Sequence, residues 1–362
     1  MKMESEEKMN INVIFTGGTI GSSVKADGSV SDDQRSYYLL EKYEKEYPCS
    51  KESEAVSFSC REPYRILSEN LSAHHWNLLF EMIRTIQENA AETGERGGII
   101  ITHGTDTLAF TAAMLSLQFA KAPLPMVLVS AAYVLDDPRT NGVQNFHGAV
   151  RLLQHLEKLR KSGENHLRNH VLVSYANEGC QPVFYYGDSL LAHRTFSADL
   201  ACVKGGIFGY LEQEEVVEKP FSPKDFSGNG EVDEMTAWLM KFSCANMQDK
   251  TSISLKDKAV ALKVSPVLWL RQYVGMSYPA VSTNIKAVML ESYHSGTICI
   301  CRELELFVKE MQEKQIPVFV VGYDDEGAEY ETISAYRRMG IRIIKNQSPI
   351  YVYCGLWLYY SC

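Results

Sequence analysis

The chain lacks a concentration of basic charge, a long apolar run and paired cysteines, and each absence excludes a class of function. Thirty-six Lys and Arg stand against 45 Asp and Glu, for a net charge of −9. Nucleic-acid and anionic-membrane surfaces need a concentrated basic face. None is visible, so neither nucleic acid nor membrane is expected as a partner. No apolar stretch approaches the roughly 20 residues that span a bilayer. The opening MKMESEEKMN is charged and has no apolar core of the signal-peptide kind, which points to a cytoplasmic protein. The nine cysteines (49, 60, 180, 202, 244, 299, 301, 354, 362) are odd in number and scattered, without a Cys-x-x-Cys; they read as reduced thiols rather than a zinc or redox centre. The phosphate-binding patterns G-x-G-x-x-G and G-x-x-x-x-G-K-[ST], the zinc motif His-Glu-x-x-His and the Gly-x-Ser-x-Gly elbow are all missing. No cofactor or metal is implied.

What is present is an alternation of buried strands and helices. The run Asn12–Phe15 ends in glycines, Leu71–Asn89 has helical spacing beginning at Ser72, and 98–102 is β-branched without polar alternation, the mark of a strand covered on both faces. A helix over Leu108–Ala120, a strand over Met126–Ser130, a helix over Asn145–Leu159 and a strand over His170–Tyr175 follow. Strands separated by helices predict parallel β-α-β units, hence an α/β sheet. Between about Cys202 and Lys256 the periodicity weakens: 212–218 is acidic, and Pro220, Pro223, Gly228 and Gly230 break regularity. A second series then predicts strands over Lys258–Val264, Ala287–Glu291, Pro317–Gly322 and Ile341–Ile344, with helices over Arg302–Lys314, Tyr330–Met339 and Pro349–Tyr360. The expected architecture is a larger N-terminal parallel-sheet α/β domain (1–205), a linker region (206–255) and a smaller C-terminal α/β domain (256–362).

Ligands of open parallel sheets bind outside the carboxyl ends of the strands. Two segments arrive there with unusual chemistry: Phe15-Thr-Gly-Gly-Thr-Ile-Gly21 and, about 85 residues on, Ile101-Thr-His-Gly-Thr-Asp-Thr107. Each offers hydroxyls, glycines and backbone N–H groups, and the second adds the carboxylate of Asp106. Glycines let backbones approach closely and leave room for an oxyanion. Singly, each threonine has a bland reading as a turn or cap residue. The His74-His75 pair is adjacent on a helix and does not converge on one ligand, so it is no metal site. The tyrosines of the last segment read as core or subunit contact, and Asp324-Asp325-Glu326 as a solvated loop.

Together, Thr-Gly-Gly-Thr-Ile and His-Gly-Thr-Asp-Thr resemble the two signatures of the bacterial-type L-asparaginase family, closer to its cytoplasmic branch. Leu67-Ser-Glu-Asn70, Val129-Ser-Ala-Ala132, Arg139-Thr-Asn-Gly142 and Glu291-Ser-Tyr-His-Ser-Gly-Thr297 are similar to further segments of that family. The resemblance implies an amidohydrolase that cleaves L-asparagine or a related side-chain amide to the acid and ammonia. It assigns Thr19 as nucleophile, Thr105 as its partner in proton transfer and water attack, and Asp106 as holder of the substrate's α-ammonium. Ser68 would take the α-carboxylate beside Glu69, Gly18 and Gly104 would line the substrate, the main chain of Ala131 would receive the amide, and Thr16 would shape the turn. It also implies a small amino-acid amide as partner and a homodimer or homotetramer, to which the aromatic C-terminal segment would contribute surface.

The chain departs from the family pattern at three places. The catalytic lysine is expected near 190–194, where the chain reads Asp188-Ser-Leu-Leu-Ala-His-Arg194, and no lysine occurs between Lys161 and Lys204. His193 is the candidate substitute because histidine is the side-chain type suited to shuttling protons; Arg194 would stabilise charge without shuttling protons. Glu69 stands where Gln or Ser is usual and would repel an anion. The loop from Gly21 to Tyr38 holds Tyr37 and Tyr38 but no clear counterpart of the family's loop tyrosine. Two further functions stay open: an amino-acid-binding protein with little turnover, motivated by the missing lysine, and a component of an amidotransferase that supplies ammonia. The latter is ranked last because it would favour an extra domain ahead of the first motif, where about ten residues stand here.

Overall fold

A computed structural model describes residues 8–18, 20, 23–24, 30–31, 37–49, 55–120, 122–163, 171–220, 261–323 and 331–361. In the first half, β1 (Met9–Phe15) is followed by the two-residue pair β2 (Ser23–Val24) and β3 (Val30–Ser31), helix α1 (Tyr38–Glu46) and β4 (Val56–Arg61). Next come α2 (Ala73–Thr93), β5 (Gly97–Thr102), α3 (Leu108–Gln118), β6 (Met126–Val129), α4 (Gly142–Ser162) and β7 (Val171–Tyr175). Strands β8 (Val183–Tyr186), β9 (Ile207–Glu212) and β10 (Glu215–Glu218) complete an eight-stranded sheet of order β10-β9-β8-β7-β6-β5-β1-β4. Strands β4, β1, β5, β6 and β7 are mutually parallel, and β8 to β10 add an antiparallel edge. Strands β9 and β10 fall within the stretch expected to be linker. They form a hairpin whose turn residues, Gln213 and Glu214, both take left-handed backbone angles (φ 47° and 68°).

Chain order reverses between β1 and β5. From β1 the chain steps to β4 on one side, then crosses to β5 on the other, the topological switch that opens a ligand crevice at the carboxyl ends of these two strands. Alternation along the strands assigns the helices to faces: Ile99 and Ile101 pack with α2 and α3, while Ile100 packs with α1 and α4. The β6–α4–β7 connection therefore steps in the same direction as those through α2 and α3, but over the opposite face. With the other crossovers right-handed, as parallel connections nearly always are, this one is left-handed. Two asparagines brace it. Buried Asn145 donates to Ser130 O (2.8 Å) and accepts from Ala176 N (2.7 Å), and Asn141 accepts from Ala132 N (2.9 Å) and donates to Ala176 O (2.8 Å). The loop after β6 is thereby pinned to the end of β7.

The second half is a separate, wholly parallel sheet, β11 (Val267–Arg271), β12 (Ala287–Glu291), β13 (Val318–Tyr323) and β14 (Arg342–Lys345), in that order. Helices α5 (Arg302–Glu313) and α6 (Glu331–Arg338) connect its last three strands, and α7 (Pro349–Tyr359) follows. The strand expected over 258–264 is displaced: 261–264 are irregular, the strand is β11, and 258–260 lie outside the described residues. Helix α7 supplies core, one of the two readings of the last segment. Its Tyr351, Leu356 and Trp357 are buried in one core with α3 and the second sheet, and Tyr353 packs on Phe110 and Trp269. Apolar on nearly every side, it is buried along most of its length, with Tyr353 and Tyr359 half-buried. The small side chains of Ala109, Ala112 and Ala113 let α3 lie close against it.

Candidate active site

Three loops converge at the switch point. The one after β1 bends through Gly17 and Gly18, both left-handed (φ 95° and 79°). Gly17 pairs with Ile66, Gly18 N–H donates to Ile66 O (3.0 Å), and Ile66 N–H returns to Thr16 O (3.2 Å). A β-carbon on Gly18 would sit 2.5 Å from the Cα and N of Gly104, and one on Gly104 would sit 2.4 Å from Ser68 Oγ. The two threonine motifs thus touch backbone to backbone at Gly18 and Gly104, and Gly104 lies against the Ser68 side chain, close approaches that glycine permits here. Thr16 donates its hydroxyl to Thr102 O (2.6 Å), so it ties β1 to β5, as a turn-shaping role requires.

Around this junction Ser68 is buried, Thr105 is half-buried and Asp106 is exposed. Ser68 Oγ donates to Asp106 Oδ2 at 3.5 Å, and Thr107 Oγ1 to Ser68 O at 2.9 Å. Glu69 is exposed on the same short turn as Ser68. Ala131 is fully buried, and the β5–β6 register, Thr102 opposite Val129, carried forward sets it level with Gly104. Thr19 lies outside the described residues, as do Gly21 and most of the loop to Tyr38. At the end of that loop, Tyr37 is exposed and Tyr38 donates to Asp136.

Among the described residues the candidate lysine substitutes make their contacts elsewhere. His193 Nε2 donates to Ser197 O (2.8 Å) within its own turn, and its ring faces Tyr175 at 6.5 Å. Arg194 is exposed, and Lys204 lies exposed before β9. Among the described residues no hydrogen bond or ion pair joins His193 or Arg194 to Thr105 or Asp106. No group of three or more His, Cys, Asp or Glu among the described residues is arranged to hold a metal. His75 instead caps α2, its Nδ1 accepting from Ser72 N–H (3.2 Å).

One buried histidine of the second motif was not singled out by sequence reasoning. His103 is enclosed, and burial pushes its pKa down to about 4, so it is neutral. It bonds Gly104 O through Nδ1 (2.9 Å) and Thr111 Oγ1 through Nε2 (2.8 Å). Its place between a buried strand and a glycine was the available signal.

This geometry presents hydroxyls, a buried serine and an exposed carboxylate at one crevice of a doubly wound sheet. Residues 10–164 match the family model described as asparaginase, N-terminal. Both threonine motifs lie inside that matched segment, as does Ser68. Over 98% of its length the chain also superposes on L-asparaginases: the thermostable enzyme of Thermococcus kodakarensis (TM-score 0.66, 19% identity, 93% of that chain) and L-asparaginase I of Vibrio cholerae (TM-score 0.64, 19% identity, 93% of that chain). At that identity the likeness shows the fold. In sequence the chain is similar to one of the subunits of glutamyl-tRNA(Gln) amidotransferase, from Methanococcus vannielii (33% identical over 142 residues, 39% of this chain) and from Archaeoglobus fulgidus (34% over 148 residues, 39% of this chain). These matches span 30% and 31% of the relatives' own length. Among the described residues no helix is long and apolar enough to cross a membrane.

Proposed function

We propose that the protein hydrolyses the side-chain amide of a small amino acid, asparagine or a close relative, with Thr19 as nucleophile. The observation that carries the reading is the glycine-only junction of Gly18, Gly104 and Ser68 at the switch point, which gathers both threonine motifs into one crevice. Thr19 Oγ attacks the amide carbon, its proton leaves with the nitrogen as ammonia, and an acyl-enzyme remains. Water then adds to the acyl carbon, releasing the acid and returning a proton to Thr19, with Thr105 assisting. Asp106 holds the α-ammonium through a charge-assisted hydrogen bond, Ser68 receives the α-carboxylate beside Glu69, and the Ala131 main chain accepts the amide N–H. A cytoplasmic homodimer or homotetramer belongs to the same proposal.

Similarity to the amidotransferase subunits supports a second reading, in which the released ammonia feeds a partner enzyme and glutamine is the better amide. The absence of a cation bonded to Thr105 or Asp106 among the described residues supports a third, a binding protein with little turnover. Ammonia release by the purified chain from asparagine, glutamine and small β-amides separates the three. Faster release from asparagine favours the first, from glutamine the second, and ligand binding without release the third.

A further inference from the structure

His103 is buried, titratable and unused by the mechanism above, yet both of its ring nitrogens are engaged. Carbonyl oxygens only accept, so the contact to Gly104 O (2.9 Å) requires a proton on Nδ1. Indole nitrogens only donate, so Trp76 Nε1 gives its proton to Thr111 Oγ1 (2.9 Å). The Thr111 hydroxyl is then free to donate its own proton to the bare Nε2 (2.8 Å). A line of donors runs from α2 through α3 to the motif, and its direction is fixed at both ends by groups that cannot reverse. Trp76 is anchored in turn edge-on against Trp357 of α7, ring centres 5.3 Å apart.

What the line controls is the peptide between Gly104 and Thr105. In a trans peptide the C=O and N–H point in opposite directions. A Gly104 carbonyl drawn back onto His103 turns the Thr105 N–H the other way. That N–H has no acceptor among the described residues. We infer that His103 is a positioning residue: held as its Nδ1–H tautomer by Thr111 and Trp76, it locks the Gly104–Thr105 peptide so that the Thr105 N–H is a ready donor for a developing oxyanion. The inference rests on the amide-cleaving reading for its purpose, while its geometry is independent of that reading. A donor aligned in advance acts mainly in the transition state. Its loss therefore lowers kcat and leaves KM nearly unchanged.

The test combines NMR of protein carrying 15N-labelled histidine with ammonia-release kinetics. Wild-type His103 is expected to show a protonated Nδ1 and bare Nε2, with no titration from about pH 8 to about pH 5. His103→Asn keeps an N–H near the place of Nδ1 and is expected to stay within about threefold of wild-type kcat, whereas His103→Leu loses about tenfold or more at similar KM. Thr111→Val removes the donor to Nε2 without emptying the site; it is expected to loosen the ring and lower kcat. A proton on Nε2 in wild type, equal damage by Asn and Leu, or a Thr111→Val protein with unchanged kcat would overturn the inference. If wild type releases no ammonia from any amide, the amide-cleaving reading fails instead. The ring tautomer, and whether Thr111→Val shifts the Thr105 amide resonance, then decide the positioning role alone: a shift supports it and no shift overturns it.

Discussion

Replacing Gly18 with alanine tests the junction on which the site is built. The residue has φ 79°, and its new β-carbon would meet the Gly104 Cα and N at 2.5 Å and the His103 carbonyl carbon at 3.0 Å. All three are backbone atoms of another loop, so no side-chain rotation relieves the clash. The left-handed conformation alone costs an alanine roughly 1–2 kcal/mol, and overpacking adds about 1–3 kcal/mol. Gly163→Ala supplies the control, because φ is 78° there and nothing lies within 4 Å of the added carbon. Urea unfolding of the two variants, with unchanged slope, should place Gly18→Ala below Gly163→Ala by about 1–3 kcal/mol. Equal costs, within about 0.5 kcal/mol, would show that the two motifs are not in contact and refute the assembled site.

The remaining predictions concern charge, core and the missing lysine. The folded His103 ring stays neutral down to about pH 4, whereas an unfolded one takes up a proton below 6.5; its stabilising contribution is therefore complete above pH 6.5 and is lost as pH falls toward 4. The stability of wild type relative to His103→Asn should drop by about 3 kcal/mol across that window, and a flat difference in urea unfolding would contradict the burial. Leu356, fully buried in α7, should cost about 2–5 kcal/mol as alanine by the same unfolding assay; a cost below about 1 kcal/mol would mean that α7 is not core. His193→Ala should keep ammonia release within about twofold, because its ring bonds Ser197 within its own turn, whereas a tenfold loss would place the ring at the reacting amide.

The site-bearing elements were legible because their residues leave little choice. Gly97–Thr102 is β-branched and buried along its whole length, and Ser72 and Gly94 bracket α2 as cap and left-handed stop. Strand β4 was missed because Ser57 and Ser59 dilute the apolar signal of an edge strand that is nowhere fully buried. The β9–β10 hairpin was read as linker because its strands carry Glu212, Glu215 and Glu218 and its turn is Gln213-Glu214 rather than Asn-Gly. Tertiary contacts hold that turn: Arg151 donates to Glu214 O (2.8 Å) and His147 bonds the Glu214 carboxylate (2.7 Å), pairings about 63 and 67 residues apart in sequence that no local pattern discloses. The aromatic C-terminal helix read as core or subunit contact, and Tyr351, Leu356 and Trp357 are core. Its composition signalled burial correctly, but whether the cover is α3 or a second copy of the chain is decided by packing. In the site, the motifs announced Thr105 and Asp106, while the approach of Ser68 to Gly104 depends on how the loop after β4 folds back along Gly17.

Ammonia release from asparagine and glutamine by wild type, Thr19→Ala and Thr105→Ala tests the central claim most directly. The account predicts measurable release by wild type and a fall of about a hundredfold or more in each variant with unfolding midpoints unchanged, since removing a nucleophile or its partner leaves binding and electrostatic stabilisation alone. Wild-type rates retained in folded Thr19→Ala protein would contradict it.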